Sequence, residues 1–254
     1  MKTIIITGGT SGIGLNIAKY FYKRDFNIAI AGIFNKTAFK KLNVIFNPEK
    51  SLILNLDLIK KNNIKKFIRL SKNKFSTIDV LVNCAGLQHV SPICKFSDKI
   101  WEYIININLN TPFKMIKEVL PIMRKNKWGR IINISSVHGS VGSQFKAGYV
   151  SSKHGLVGLT KVVALETAKE NITCNSVCPG FVLTELIQDQ IDLIAKKKKI
   201  SNQKAEVELL KEKQPSLQFV KKDDVASLIY YLSSEAAKQI TGSNIPIDGA
   251  WTSQ

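Results

Sequence analysis

The sequence predicts one doubly wound α/β fold, a parallel sheet with helices on both faces. Three observations predict it. Short apolar runs alternate with longer amphipathic stretches along the whole 254 residues, and that alternation feeds a parallel sheet through helical crossovers. Several runs are apolar at consecutive positions, such as Val80-Leu81-Val82 and Ile131-Ile132 with Ile134, as strands covered on both faces must be. A glycine-rich turn, Thr7-Gly8-Gly9-Thr10-Ser11-Gly12-Ile13-Gly14, closes the first run and opens a helical one.

In chain order, strands are expected at Thr3–Thr7, Asn27–Ala31, Ser51–Leu56, Ile78–Asn83, Arg130–Ser135, Thr173–Cys178 and Asn244–Ile247. Helices are expected at Ile13–Lys23, Asn62–Asn73, Asp98–Lys125, Tyr149–Lys169 and Asp223–Ser233. Residues 184–214 break the alternation with a long, charged helical segment after the sixth strand. Ligands of such sheets bind beyond the carboxyl ends of the strands, so a helical insertion there reads as a substrate lid. No internal repeat or low-complexity linker divides the chain, and one domain spanning residues 1–254 is expected.

The formal charge of +18 raises the question of a nucleic-acid partner. The cations are mostly lysines scattered among Asn and Ile, densest at Lys196–Lys199, without zinc-finger spacing or interleaved aromatics. A solvated lysine-rich surface is expected, with no nucleic-acid partner; its field would also attract an anionic dinucleotide or a small acid. The four cysteines lack metal-knuckle spacing. Cys174 and Cys178 would stand about 13 Å apart on one strand, too far for a disulfide, so reduced, mostly buried thiols and no metal are expected. Thr3-Ile-Ile-Ile-Thr7 is too short for a signal-peptide core or a membrane span. A soluble, cytoplasmic protein without membrane contact is expected.

The glycine turn carries the first chemistry. Glycines let the backbone approach a pyrophosphate closely, and the following helix offers free N–H groups and the positive end of its dipole. An acid that would hold the adenosine ribose normally follows about 20 residues later, yet no Asp or Glu occurs between Asp25 and Glu49. Lys36 would even accept a 2′-phosphate, so the residues leave NAD and NADP open. Asp57, just past the third strand, can accept from an adenine amino group or cap a helix before Leu58-Ile59. In Tyr149-Val-Ser-Ser-Lys153 the first and last residues share a helix face. At ~4 Å and an effective dielectric near ~20, a lysine ammonium favours tyrosinate by roughly 4 kcal/mol, or about three pH units. That would bring the phenol near neutrality, where acid–base catalysis works best.

The combination Thr7-Gly-x-x-x-Gly12-Ile13-Gly14, Asn83-Cys-Ala-Gly86, Asn108, Ser136, Tyr149-x-x-x-Lys153 and Pro179-Gly180 resembles the short-chain dehydrogenase/reductase family over essentially the whole chain. The resemblance implies a Rossmann-type sheet and a catalytic set of Asn108, Ser136, Tyr149 and Lys153. Tyr149 would exchange a proton with the substrate oxygen, Ser136 would hydrogen-bond that oxygen, and Asn108 would position a water. Lys153 would lower the tyrosine pKa and hold the nicotinamide ribose. The cofactor would contact Thr7, Gly8, Thr10, Ser11, Gly12, Ile13 and Gly14 of the first turn. It would also contact Phe34, Asp57, Leu58, Asn83, Ala85, Gly86, Pro179, Gly180, Val182 and Thr184, beside Tyr149 and Lys153. Cys84 stands where many members carry a second Asn.

Longer strings are similar to those of bacterial D-3-hydroxybutyrate dehydrogenases: Gly86-Leu-Gln88-His-Val-Ser-Pro92, Ser136-Val-His138-Gly139, Lys146-Ala-Gly-Tyr149, Glu212-Lys-Gln-Pro-Ser-Leu-Gln-Phe219 and Asp248-Gly-Ala-Trp251-Thr252. This likeness implies a small carboxylate substrate bound by Gln88, Ser136, His138, Lys146, Tyr149 and Gln190, with Trp251 closing the pocket. It also implies interconversion of (R)-3-hydroxybutyrate and acetoacetate with NAD, a homotetramer and a place in ketone body metabolism. Phe181 stands where that group is expected to carry tryptophan. On the residues alone, Gln190 lies within the stripe Ile187, Ile191, Ile194, and a polar amide on the inward side of a lid helix needs a partner. Leu156, Leu159 and Val162 exceed what one sheet face requires, and the family likeness implies that the helices Asp98–Lys125 and Tyr149–Lys169 pack between subunits. The alternatives are another reductase of the family, such as one acting on 3-oxoacyl-carrier-protein esters, and a catalytically silent dinucleotide-binding protein. The polar set Gln88, His138 and Lys146 suits a free carboxylate better than the first, and the intact Ser136, Tyr149 and Lys153 argue against the second.

Overall fold

Seven strands form one parallel sheet in the order β3-β2-β1-β4-β5-β6-β7, seen in a computed structural model that describes residues 1–253. They are β1 (Thr3–Thr7), β2 (Asn27–Gly32), β3 (Ser51–Asn55), β4 (Val80–Asn83), β5 (Gly129–Ile134), β6 (Ile172–Pro179) and β7 (Asn244–Ile247). The chain runs outward from β1 to β3, then crosses back to place β4 on the other side of β1, with Ile4 opposite Val80 and Thr7 opposite Asn83. That reversal opens a crevice between the carboxyl ends of β1 and β4, where such sheets bind ligands.

Successive strand residues point to opposite faces, and both faces are apolar. Ile4, Ile6, Ile28, Ile30, Val82 and Ile132 meet α1 (Gly12–Tyr22) and α9 (Lys222–Leu232) through Ile17, Phe21, Val225 and Ile229. Ile5, Ala29, Leu81, Ile131 and Cys174 meet α3 (Asn63–Phe75), α5 (Thr111–Lys125) and α6 (Ala147–Thr167) through Phe67, Met115 and Val163. Double coverage is why β1, β4 and β5 read as unbroken apolar runs.

The helices depart from expectation in two places. A helix at Lys36–Ile45, α2, follows β2. Leu42 is its one fully buried residue, Ile45 and the following Phe46 pack on the same core, and Asn35 caps it by accepting from the Ala38 N–H at 2.9 Å; a face this short, set among exposed lysines, is easily missed in the sequence. The expected helix Asp98–Lys125 divides into α4 (Asp98–Ile105) and α5, joined by a π-helical stretch at Asn106–Asn110. Asn106 holds that stretch, its Oδ1 accepting from Asn110 Nδ2 at 2.9 Å and its carbonyl from Thr111 Oγ1 at 2.9 Å. Such turns recur at functional sites, and this one carries Asn108, which is wholly buried.

The insertion after β6 is a helix pair, α7 (Glu185–Lys198) and α8 (Asn202–Lys211). Lys199 in the left-handed region ends the first, and the Ser201 hydroxyl caps the second by accepting from Lys204 N–H. Ile187, Ile191 and Ala195 of α7 pack with Ala205, Leu209 and Leu210 of α8, and this cluster includes Phe181, Val137 and Trp251 at the sheet's edge. All four cysteines are free; Cys174 and Cys178 are buried in β6, but Cys84 is half-buried and Cys94 exposed, because the turn at Ile93–Lys95 lies on the surface. Among the described residues no helix is long and apolar enough to cross a membrane, and no group of His, Cys, Asp and Glu is arranged to hold a metal ion.

Candidate active site

A cleft of about 530 Å³ opens at the crevice and runs beneath α7. Its first wall is the glycine turn. Gly8 has φ +68°, and a Cβ there would lie 2.7 Å from Ala85 Cα; at Gly14 a Cβ would lie 2.3 Å from the Gly8 carbonyl oxygen. Only glycine lets β1, β4 and α1 close this tightly. Ser11 precedes α1 in extended backbone and its side chain makes no capping bond, so the first N–H groups of the helix remain available to an anion at the positive end of the dipole. Thr7 stitches the crevice from behind, its hydroxyl accepting from the Cys84 and Ala85 N–H groups at 3.1 Å each.

Thr10, Ser11, Gly12, Ile13, Leu58, Ala85, Gly86, Pro179, Gly180, Val182 and Thr184 line the cleft as expected. Asp57 also lines it while its Oδ1 accepts from Ile59 N–H at 3.1 Å, so one carboxylate both shapes the turn before Leu58-Ile59 and faces the cleft. Four expected site residues lie behind the wall: Thr7, whose hydroxyl is spent on the Cys84 and Ala85 N–H groups, and Phe34, Asn83 and Asn108. Phe34 stacks on Phe39, ring centroids 5.9 Å apart, and Asn55 grips its backbone from both sides; Ile33 reaches the cleft in its place. Asn83 is buried and donates to Asn133 Oδ1 at 2.8 Å. Asn108 binds both backbone groups of Leu87 at 3.0 Å and donates to Ser152 Oγ at 3.0 Å. It therefore fixes the loop after β4 to α6.

Ser136, Tyr149 and Lys153 stand together at the far end. Ser136 follows β5 in extended backbone and its hydroxyl accepts from His138 N–H at 3.2 Å. Lys153, one turn beyond Tyr149 on α6, donates from Nζ to the Ile134 carbonyl at 2.7 Å and lies 5.5 Å from the tyrosine ring centre. The electrostatics differ from the sequence expectation. Burial raises the Tyr149 phenol above its ordinary range, opposed by a hydrogen bond with Ser136, and burial lowers the Lys153 ammonium to about 8. Desolvation disfavours both charged forms, and the ammonium is engaged by a carbonyl. Tyr149 therefore rests as a protonated phenol, and the lysine carries the shift toward neutrality.

Gln88, His138, Lys146, Gln190 and Trp251 line this same end. His138 packs edge-on against Tyr149 at 6.0 Å and Trp251 at 5.5 Å. Burial, then the Lys146 charge, lowers its pKa to about 4, so its ring is neutral at physiological pH. Lys146 is lowered by burial and by the charge of Lys213. Ile33, Leu56 and Cys84, just past the ends of β2, β3 and β4, also line the cleft, as do Tyr103 of α4 and Ile107 of the π-helical stretch; these apolar positions carry no motif, so their part in the site is unseen in the sequence. Together the site offers a hydroxyl pair, a buried ammonium, a cationic recess and a dinucleotide-sized groove.

This fold and site define a dehydrogenase, and the chain belongs to the short chain dehydrogenase family, whose model matches residues 2–193. It is 43% identical over 256 residues to a D-beta-hydroxybutyrate dehydrogenase of Cupriavidus necator, covering 100% of this chain and 98% of that one. It is 41% identical to a D-beta-hydroxybutyrate dehydrogenase of Rhizobium meliloti, covering 100% and 99%. Among solved structures, 4-hydroxyisoleucine dehydrogenase complexed with NADH matches with a TM-score of 0.89 at 32% identity over 100% of both chains. ElxO with NADP bound matches with a TM-score of 0.88 at 32% identity, over 100% of this chain and 99% of that one.

Proposed function

We propose that the protein interconverts (R)-3-hydroxybutyrate and acetoacetate with NAD+/NADH. The observation that carries this reading is the placement of Lys146, His138, Gln88 and Gln190 around the recess that also holds Ser136 and Tyr149. A cation and uncharged polar groups on one side of a proton donor fit a carboxylate two carbons from a carbonyl. The names of the two relatives at 43% and 41% identity support it.

The groove suits a dinucleotide: Gly8 and Gly14 leave no room for side chains, and the uncapped start of α1 offers N–H groups to a pyrophosphate. NAD would supply the hydride acceptor, and NADH the donor. NAD is preferred to NADP because Lys36 begins α2, exposed, without facing the cleft, whose wall after β2 is Gly32 and Ile33. Tyr149 delivers its proton to the ketone oxygen in reduction and recovers it in oxidation. Ser136 hydrogen-bonds that oxygen. Lys153 holds the ribose, and its ammonium favours the tyrosinate left when the proton has gone to the substrate. Lys146 and the amides of Gln88 and Gln190 take the carboxylate, with Trp251 limiting length.

In the cell we place the protein in the cytoplasm as a homotetramer. Of the three residues expected at an interface, Leu156 and Leu159 pack into the protein's own core, while Val162 is 52% exposed. Phe113 of α5 and Leu165 of α6 are further exposed apolar side chains, at 50% and 79%. Light scattering is expected to show four subunits, and a clean monomer would refute the assembly. The activity is tested by following reduced nicotinamide absorbance with acetoacetate, butanone and a 3-oxoacyl carrier protein, using NADH and NADPH. Acetoacetate with NADH is expected to be turned over best; preference for the carrier-protein ester, or for NADPH, would overturn the corresponding half of the reading.

A further inference from the structure

We propose that Gln214 is a positioning residue: it locks the turn after β6 to the end of the lid, and so sets the width of the aromatic wall at the substrate end of the cleft. Gln214 lies just beyond α8 and is wholly buried between exposed neighbours. Its Oε1 accepts from Phe181 N–H at 2.9 Å, and its Nε2 donates to the Gln218 carbonyl. Both ends of the amide are used, as burial demands.

The backbone is shaped around this side chain. A Cβ at Gly180 would lie 2.5 Å from Gln214 Oε1, and one at Gly249 would lie 2.9 Å from Gln214 Cγ. The segment after Gln214 then returns along the same turn: Val220 N–H donates to the Phe181 carbonyl at 2.8 Å and Val220 bridges Val182 in parallel. Ser216 N–H donates to the Gly249 carbonyl at 3.1 Å. Phe181 is therefore held at its N–H by Gln214 and at its carbonyl by Val220. Its ring packs on Trp251 with centroids 4.7 Å apart, and Trp251 packs on His138. The amide ties the end of the lid to the turn carrying Val182 and Thr184 and to its own following segment at Gln218; the chain end carrying Trp251 joins through the Ser216–Gly249 bond and the Phe181 ring. Filling the space would need only volume; two directed hydrogen bonds fix where Phe181 sits against Trp251.

The kinetic part of the test rests on the acetoacetate reading, and the fluorescence part does not. Trp101→Phe with Trp128→Phe leaves Trp251 as the one tryptophan of the three. In that background, Gln214→Leu keeps the volume and removes both bonds. Gln214→Glu keeps the acceptor for Phe181, turns a second oxygen toward the Gln218 carbonyl, and regains the donor when protonated. Gln214→Leu is expected to open Trp251 to acrylamide quenching and red-shift its emission without cofactor or substrate. It is also expected to raise the KM for acetoacetate about tenfold or more, as a wall displaced by an ångström does. Gln214→Glu is expected to recover parental quenching and KM as the pH is lowered. Should Gln214→Leu not fold, the Gln214→Glu pH series decides alone. Unchanged quenching and KM in Gln214→Leu, or a Gln214→Glu whose quenching does not respond to pH, overturns the proposal. A wild type inert toward acetoacetate refutes the substrate reading and leaves the quenching result to decide on Gln214.

Discussion

The Lys153 ammonium donates to the Ile134 carbonyl at 2.7 Å from a position only 5% exposed. That bond holds a cation at the end of β5 where a hydrophobic residue would cost less. Burial depresses its pKa to about 8, against an unfolded value near ~10.4. The unfolded chain binds more protons between those values, so stability rises with pH across that window and the full cost is present below about 8. Lys153→Met is expected to be more stable than wild type near neutrality by up to about 3 kcal/mol, an advantage that fades toward pH ~10. Urea midpoints across that range check it; a Met variant less stable at neutral pH would show the ammonium to be a net stabiliser. The same variant is expected to lose nearly all turnover.

Tyr149→Phe removes the hydroxyl and keeps the ring that packs on His138. Folding and dinucleotide affinity should survive, while turnover falls by about 10²–10⁴-fold. Steady-state rates beside a cofactor titration check both halves. Near-normal turnover would mean that another group moves the proton.

His138 links stability to acid. Its folded pKa of about 4 lies below the ordinary ~6.5 because burial and Lys146 disfavour the imidazolium. The stabilisation is complete above the unfolded value and is lost as pH falls through the folded one, amounting to at most about 3 kcal/mol. His138→Gln should flatten this part of the profile. Denaturation at about pH 7.5 and about pH 5 is the measurement; an equal loss in both proteins would assign the acid sensitivity elsewhere.

Lys146 should govern choice of substrate. A four-carbon acid offers little apolar surface, so discrimination comes from donors left unpaired when the carboxylate is absent. Lys146→Ala should raise the KM for acetoacetate far more than the Kd for NADH, and Gln190→Ala should do so more weakly. Butanone should be a poor substrate of the wild type. Equal efficiency with butanone, or an unchanged acetoacetate KM in Lys146→Ala, would remove the carboxylate pocket and leave the dehydrogenase assignment standing.

Local pattern determined much of this molecule. The consecutive apolar residues of β1, β4 and β5, the glycine turn and the spacing of Tyr149 to Lys153 depend on neighbours a few residues away, so the chain displays them directly. The strands at Thr3–Thr7 and Asn244–Ile247 end where their residues indicate. The tertiary structure decided what depends on distant contacts. Helix α2 rests on the short face Leu42, Ile45 and Phe46 packed on distant strands and helices, and the π-helical stretch at Asn106–Asn110 divides what reads as one helix. Phe34 turns to Phe39 because Asn55, 21 residues away, holds its backbone. The charge states of Tyr149 and Lys153 were decided in the same way. Their spacing promised an ion pair, but burial outweighed it, since desolvation depends on everything packed around a group and not on the residue four positions along its helix.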